Sequence, residues 1–338
     1  MRLSLKDFFK LVFSIALTGF VIYNTNGDFE WSKAKDAIIN FNFGWIFLSI
    51  GLSLISHLLR AYRWNLLLST QGHKPKLLTS YLALMVGYLS SMAIPRLGEV
   101  TRCTVLKKSD NIPVSFSFGT VITDRLLDLL MLGLLLLSLL ALKYSLLQSF
   151  FIDFIERKAP FILDYWPYLI LLGIAGIIFL YWLIRKSKEE NSGNGIVSKL
   201  LTFIKDFLIG LKAITQVKKP FPFILSTLGI WLLYFLMLYV ISFGYGPTDD
   251  MSPIAGLAVL VMGSFGMATP VNNGIGAYQV FVAGILVAFG IAYEDGYVFA
   301  VISQGSQLVT VIIIGFLSLV ILNFRKKKQI ETDSAKDS

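Results

Sequence analysis

Apolar runs of membrane-spanning length punctuate the chain at residues 8–23, 45–68, 116–142, 163–184, 221–243 and 296–324. In hydrocarbon no water is present to pair a backbone amide or carbonyl. Each run must therefore satisfy its own backbone, which a helix does. Charge supports the same reading. Only 15% of the 338 residues are charged, against about 25% in soluble domains. The chain reads as an all-α, polytopic membrane protein with about six to eight transmembrane helices.

One apolar run does not fit a simple crossing. Residues 77–94 end at Pro95, and Arg96, Glu99 and Arg102 follow at once. Proline has no amide hydrogen and biases the residue before it away from helix. The spacing predicts a helix that stops near Ile94 and a second that starts after Gly98, with Pro95 and Gly98 as the break. Lys74 and Lys76 precede the run, and Arg96, Arg102, Lys107 and Lys108 follow it. A single crossing would leave four basic residues outside, against the positive-inside rule. A re-entrant pair over 77–115 removes the conflict, because irregular backbone is tolerated where protein or a wet cavity surrounds it.

The break is written twice. Leu82, Ala83, Val86, Met92, Ala93 and Pro95 match Leu257, Ala258, Val261, Met267, Ala268 and Pro270, 175 positions further on. The second copy continues through Asn272, Asn273, Gly274, Gly276 and Gln279, so that residues 253–291 form a second broken segment. Opened from the opposite side, it makes the repeat inverted. Paired interruptions in two halves point to a transporter's binding site.

Around these breaks the chain divides simply. Residues 1–43 supply an anchor helix and a mixed-charge outer loop. The first half is 44–143. A connector over 144–220 holds the span 163–184 and an amphipathic helix over 196–214, read as lying on the inner leaflet. The second half is 221–324, and 325–338 is a charged tail. The first run lacks a small-residue cleavage site and reads as a retained anchor. Basic residues at 2, 6 and 10 and at 325–328 place both termini in the cytoplasm of an inner-membrane protein. The net charge of +9 then reflects basic loops, not nucleic-acid binding. One cysteine and two histidines give no basis for a metal site, and no cofactor motif is present.

The polar residues of the spans are candidate substrate contacts. Arg96, Glu99 and Arg102 suit an anionic lipid head group, since the guanidinium fork matches phosphate; the plain alternative is snorkelling loop charge. Asp124 and Asp128 share a helix face beside Arg125, as a substrate or proton site or as an internal salt bridge. Arg60 and Arg63 line the same inner mouth or anchor the helix end. Asn272, Asn273, Gly274 and Gly276 allow close backbone approach or merely a turn. Gln279, Gln304 and Gln307 line an outer vestibule or hydrogen-bond between helices.

Four motifs in order give the chain a recognisable character: Arg60, Ala61, Tyr62, Arg63, Trp64; Pro95, Arg96, Gly98, Glu99, Arg102; Asp124, Arg125, Asp128; and Pro270, Gly274, Ile275, Gly276. Together they resemble the flippase-like family of lysylphosphatidylglycerol synthase transmembrane domains, over about residues 40–322. The resemblance implies a membrane domain that moves or handles lipids, with membrane lipids of anionic head group as partners. Two-domain synthases add a soluble aminoacyl-transferase domain. Here the chain ends at Ser338, so the expectation is no lysyl-lipid synthesis by this chain alone. Many relatives carry glutamate where this chain has Gln279, which removes a negative charge from the second half. The primary expectation is a lipid translocase. The alternatives are a membrane-embedded transferase acting on a lipid carrier, with Glu99 and Asp124 as acid and base, and a non-catalytic partner of a separate lipid-modifying enzyme.

Overall fold

The computed structural model describes residues 41–144, 148, 196–269 and 271–334. The expected first span, the span 163–184, the loops beside them and Pro270 lie outside the described residues. Among the described residues the secondary structure is entirely helical, with no strand.

Helix α1 (Phe43–Leu68) shows why a membrane bundle packs. Asn42 caps it, its side chain accepting from the Gly44 amide at 3.1 Å. Ser49, Ser53, Ser56, His57, Arg60, Arg63 and Trp64 are buried, while Phe47, Leu48, Ile55 and Leu58 are exposed. These positions follow helical spacing, so α1 turns a polar stripe inward and an apolar face outward, where the solvent is lipid.

Helices α2 (Leu77–Ala93) and α3 (Leu97–Asp110) follow. α2 ends as Ile94 turns extended (φ −138°), and Arg96 takes the left-handed conformation at φ 65°. α3 then folds back along α2. Gly87 and Gly98 make the close approach: a Cβ on Gly98 would overlap the Gly87 carbonyl and the Ser91 hydroxyl. Ser91 Oγ accepts from the Gly98 amide at 3.1 Å. At the end of α3, burial raises the Asp110 carboxyl and the charge of Lys76 opposes that shift. The sequence reading put the conformational freedom on Gly98 and started the helix after it. The structure starts α3 at Leu97, puts the positive φ on Arg96, and uses Gly98 for contact.

Helix α4 (Val114–Tyr144) buries Ser117, Thr120, Val121, Thr123 and Asp124 and exposes Leu129, Leu130, Leu134 and Leu137. Helix α5 (Ile196–Leu211) crosses it at Gly119 and Gly210, where a Cβ on either would strike the other's backbone. Asp206 is held by the Ser115 hydroxyl at 2.8 Å. The helix expected at the inner leaflet is docked on α4. Helix α6 (Pro220–Ser242) packs along α1, and Ser49 Oγ donates to the Met237 carbonyl at 2.6 Å.

Helices α7 (Pro253–Ala268), α8 (Ala277–Val287) and α9 (Tyr293–Ser334) complete the described chain. α8 is shorter than the expected run to residue 291. Gly290 turns left-handed at φ 86° and the Ile291 amide returns to the Leu286 carbonyl at 3.1 Å, which closes the helix. α2, α7 and α8 are about 25, 24 and 16 Å long at 1.5 Å per residue, short of a hydrocarbon core of roughly 30 Å. By length and composition α1, α4, α6 and α9 can cross a membrane. α8 returns along α7, with Gly263 and Gly266 against Tyr278. The turn Asn272–Gly274 touches α2, so the two breaks lie near each other.

Candidate functional site

The charges on α1 and α4 find each other first. Arg60 and Arg63 lie three residues apart, Asp124 and Asp128 four apart, so each pair shares a face. Arg60 Nη2 meets Asp124 Oδ2 at 2.9 Å and also contacts Asp128. Arg63 Nε donates to Asp124 Oδ1 at 2.9 Å, and its Nη2 to Asp128 Oδ1 at 2.7 Å. Arg60 Nη1 donates to Tyr234 on α6 at 2.8 Å. The Asp124 and Arg63 side chains are fully buried; Asp128, at 16% exposure, is the most open of the four. Two cations and two anions make a neutral cluster, which offsets the roughly 3 kcal/mol each charge would cost alone at mid-bilayer. The cluster ties α1, α4 and α6 together with its charges directed at one another.

The next charge on α3 is different. Arg102 is only 3% exposed. Its guanidinium lies over the Trp64 ring, 4.9 Å from the centroid, a cation–π contact. Its Nε and Nη2 are buried and have no hydrogen-bond partner among the described residues. Those two nitrogens form one edge of the planar fork, the edge that grips two oxygens of one oxyanion. Arg102 lines a small cleft, with room for about one water as it stands, shared with Tyr88, Ser91, Gly98, Glu99 and Arg125. The α2–α3 contact makes this pocket, since the glycine approach brings the two helices together beside Arg102.

Glu99 and Arg125 close its mouth. Arg125 Nη2 donates to Glu99 Oε1 at 3.1 Å, with Arg125 46% exposed. An ion pair this open is worth about 0–1 kcal/mol, so a ligand can displace it. Arg96 is exposed at the apex of the break and does not line the pocket. Of the three charges grouped in the sequence, two reach the pocket, and Arg125 joins them from α4. Tyr88 and Ser91 were missed. Both sit inside an apolar run; the folding back of α3 brings the Gly98 amide to Ser91, and α1 brings the His57 ring to within 5.1 Å of Tyr88.

The second break is neutral and closed on itself. Gln279 Oε1 accepts from the Gly276 amide at 2.7 Å, and its Nε2 donates to Gln304 Oε1 at 2.7 Å. Gln304 Nε2 donates to the Asn273 carbonyl at 2.9 Å. Gln307 donates to Ser49 at 3.2 Å. Asn273, Gly274 and Gly276 take positive φ of 51°, 65° and 86°. Gly274 sits against Met267, where a side chain would not fit. Gln279 and Gln304 thus pin the turn, and Gln307 ties α9 to α1. Asn272 lies in the same turn.

A known family joins these features. The family model described as the lysylphosphatidylglycerol synthase TM region matches residues 8–315. The chain belongs to that family. A UPF0104 membrane protein of Methanocaldococcus jannaschii is 22% identical over 227 residues, covering 62% of this chain and 67% of the relative. No solved structure matches. In this member of the family the first break is charged and the second is neutral.

Proposed function

We propose that this protein moves an amphiphile with a phosphate-bearing head group across the inner membrane. The observation that carries the reading is a buried arginine, Arg102, that lines the cleft of the first break and whose Nε and Nη2 have no hydrogen-bond partner among the described residues. A buried guanidinium with two idle donors is costly unless a ligand completes it. The family, a membrane region of a lipid synthase, supports a lipid as that ligand.

In this reading Lys74, Lys76, Lys107 and Lys108 lie at the cytoplasmic surface. The α2–α3 pair re-enters from the cytoplasm, and α7–α8 enters from outside as its inverted counterpart. Both termini are cytoplasmic. A head group leaves the inner leaflet, displaces Glu99 from Arg125 and engages Arg102, while its tails stay in lipid. Rocking of one half against the other exposes it to the far side.

The test is lipid movement in reconstituted vesicles with fluorescent phospholipids. Wild type should move lipid, and Arg102→Gln should slow it at least about ten-fold, the loss of one charge-assisted contact. If folded wild-type protein moves no lipid, with or without an imposed pH gradient, translocation falls. The role of non-catalytic partner to a lipid-modifying enzyme would replace it.

A further inference from the structure

The pocket offers a ligand an acceptor as well as donors. Glu99 Oε1 is engaged by Arg125, but its Oε2 is buried and has no hydrogen-bond partner among the described residues. Glu99 and Arg102 stand three residues apart on α3 and line the same space, yet no hydrogen bond joins Oε2 to the idle Nε and Nη2. A bare oxyanion on the Arg102 edge would satisfy the donors and crowd a second negative charge toward Glu99. A group that carries its own N–H beside the oxyanion would satisfy both sides at once.

On the reading of this pocket as a head-group site, we infer that Glu99 is its specificity residue. It selects a phosphodiester followed by a hydrogen-bond donor, a primary ammonium above all, over a quaternary amine or a free phosphate. The phosphate oxygens take the Arg102 edge, and the ammonium donates to Glu99 Oε2. A quaternary amine has the same charge but no proton to give, so the discrimination lies in the hydrogen bond.

Calorimetric titration of the full chain in detergent tests this with three probes: dihexanoyl phosphatidylethanolamine, dihexanoyl phosphatidylcholine and inorganic phosphate. Wild type should bind the ethanolamine lipid about ten-fold more tightly than the other two, the effect of one charge-assisted hydrogen bond. Glu99→Gln keeps the shape, removes the charge and should cut that preference below about three-fold, while binding of the choline lipid stays the same or tightens. Equal binding of the two lipids by wild type would mean that Glu99 is bridged by water, and it overturns the inference. Tighter binding of inorganic phosphate overturns it too. Arg102→Gln separates the two levels. If it abolishes binding of both lipids while wild type treats them alike, the site stands and its selectivity falls. If Arg102→Gln binds both as wild type does, the site itself falls.

Discussion

Arg102 and Arg63 are both buried arginines, yet their surroundings make them chemically different. Arg63 spends Nε and Nη2 on two carboxylates and leaves only Nη1 without a partner among the described residues, whereas Arg102 keeps its whole Nε–Nη2 edge idle and faces the Trp64 ring. Arg96 is different again: it is exposed and held at φ 65°, where an L residue is strained by roughly 1 kcal/mol. Arg96→Gly should therefore leave stability unchanged or raise it by up to about 1 kcal/mol, and it should leave lipid movement intact. Cys103 supplies the readout. It is the one cysteine in the chain and is buried, so a thiol-reactive dye added during a thermal ramp reports unfolding. A sharp fall in melting temperature for Arg96→Gly would show that the apex arginine has a structural partner.

At the scale of elements, glycine decides which helices touch. In an exposed helix, Gly→Ala ordinarily stabilises by about 1 kcal/mol. At Gly98 the sign should reverse. The new Cβ would overlap the Gly87 carbonyl and Ser91, and overpacking of this kind costs about 1–3 kcal/mol. Gly98→Ala should lower the dye-reported melting temperature and part α2 from α3. The same hairpin makes a topological prediction. Single cysteines placed at Lys76 and at Lys107, in a background where Cys103 is serine, should react with an impermeant thiol reagent from the same side of the membrane. Reaction from opposite sides would make α2–α3 a crossing and not a re-entrant pair.

For the whole molecule, the ion cluster is the joint between α1, α4 and α6. Removing one partner leaves a buried charge uncompensated, at a cost of about 3–5 kcal/mol. Asp124→Asn should accordingly lower the melting temperature more than any change at the pocket. Arg63→Gln alone should cost a similar amount. The double variant should cost less than the sum, since it removes a charge of each sign. Strict additivity would mean that the cluster is not a coupled unit. The second break has no such charges, and its Gln279 and Gln304 amides hold one another. The molecule is thus asymmetric in chemistry even where its two broken segments resemble each other in sequence.

Hydropathy and charge placement alone determined the helical class, the membrane solvent, and most helix limits: α2, α6 and α7 fall within a residue or two of their sequence-based bounds. The two breaks were legible too, because proline acts on its immediate neighbours. The family was legible in four short motifs. What only the tertiary structure decided was partnership. Local sequence places Asp124, Arg125 and Asp128 together, but across helices two of them meet Arg60 and Arg63 while the third meets Glu99. Likewise Glu99 and Arg102 reach a pocket that Arg96 does not, because the left-handed turn at Arg96 and the glycine contact set the rotation of α3. A hydropathy pattern reports which solvent a side chain prefers. Which edge of a guanidinium stays empty depends on neighbours brought in from other helices, and that is a property of the packed bundle.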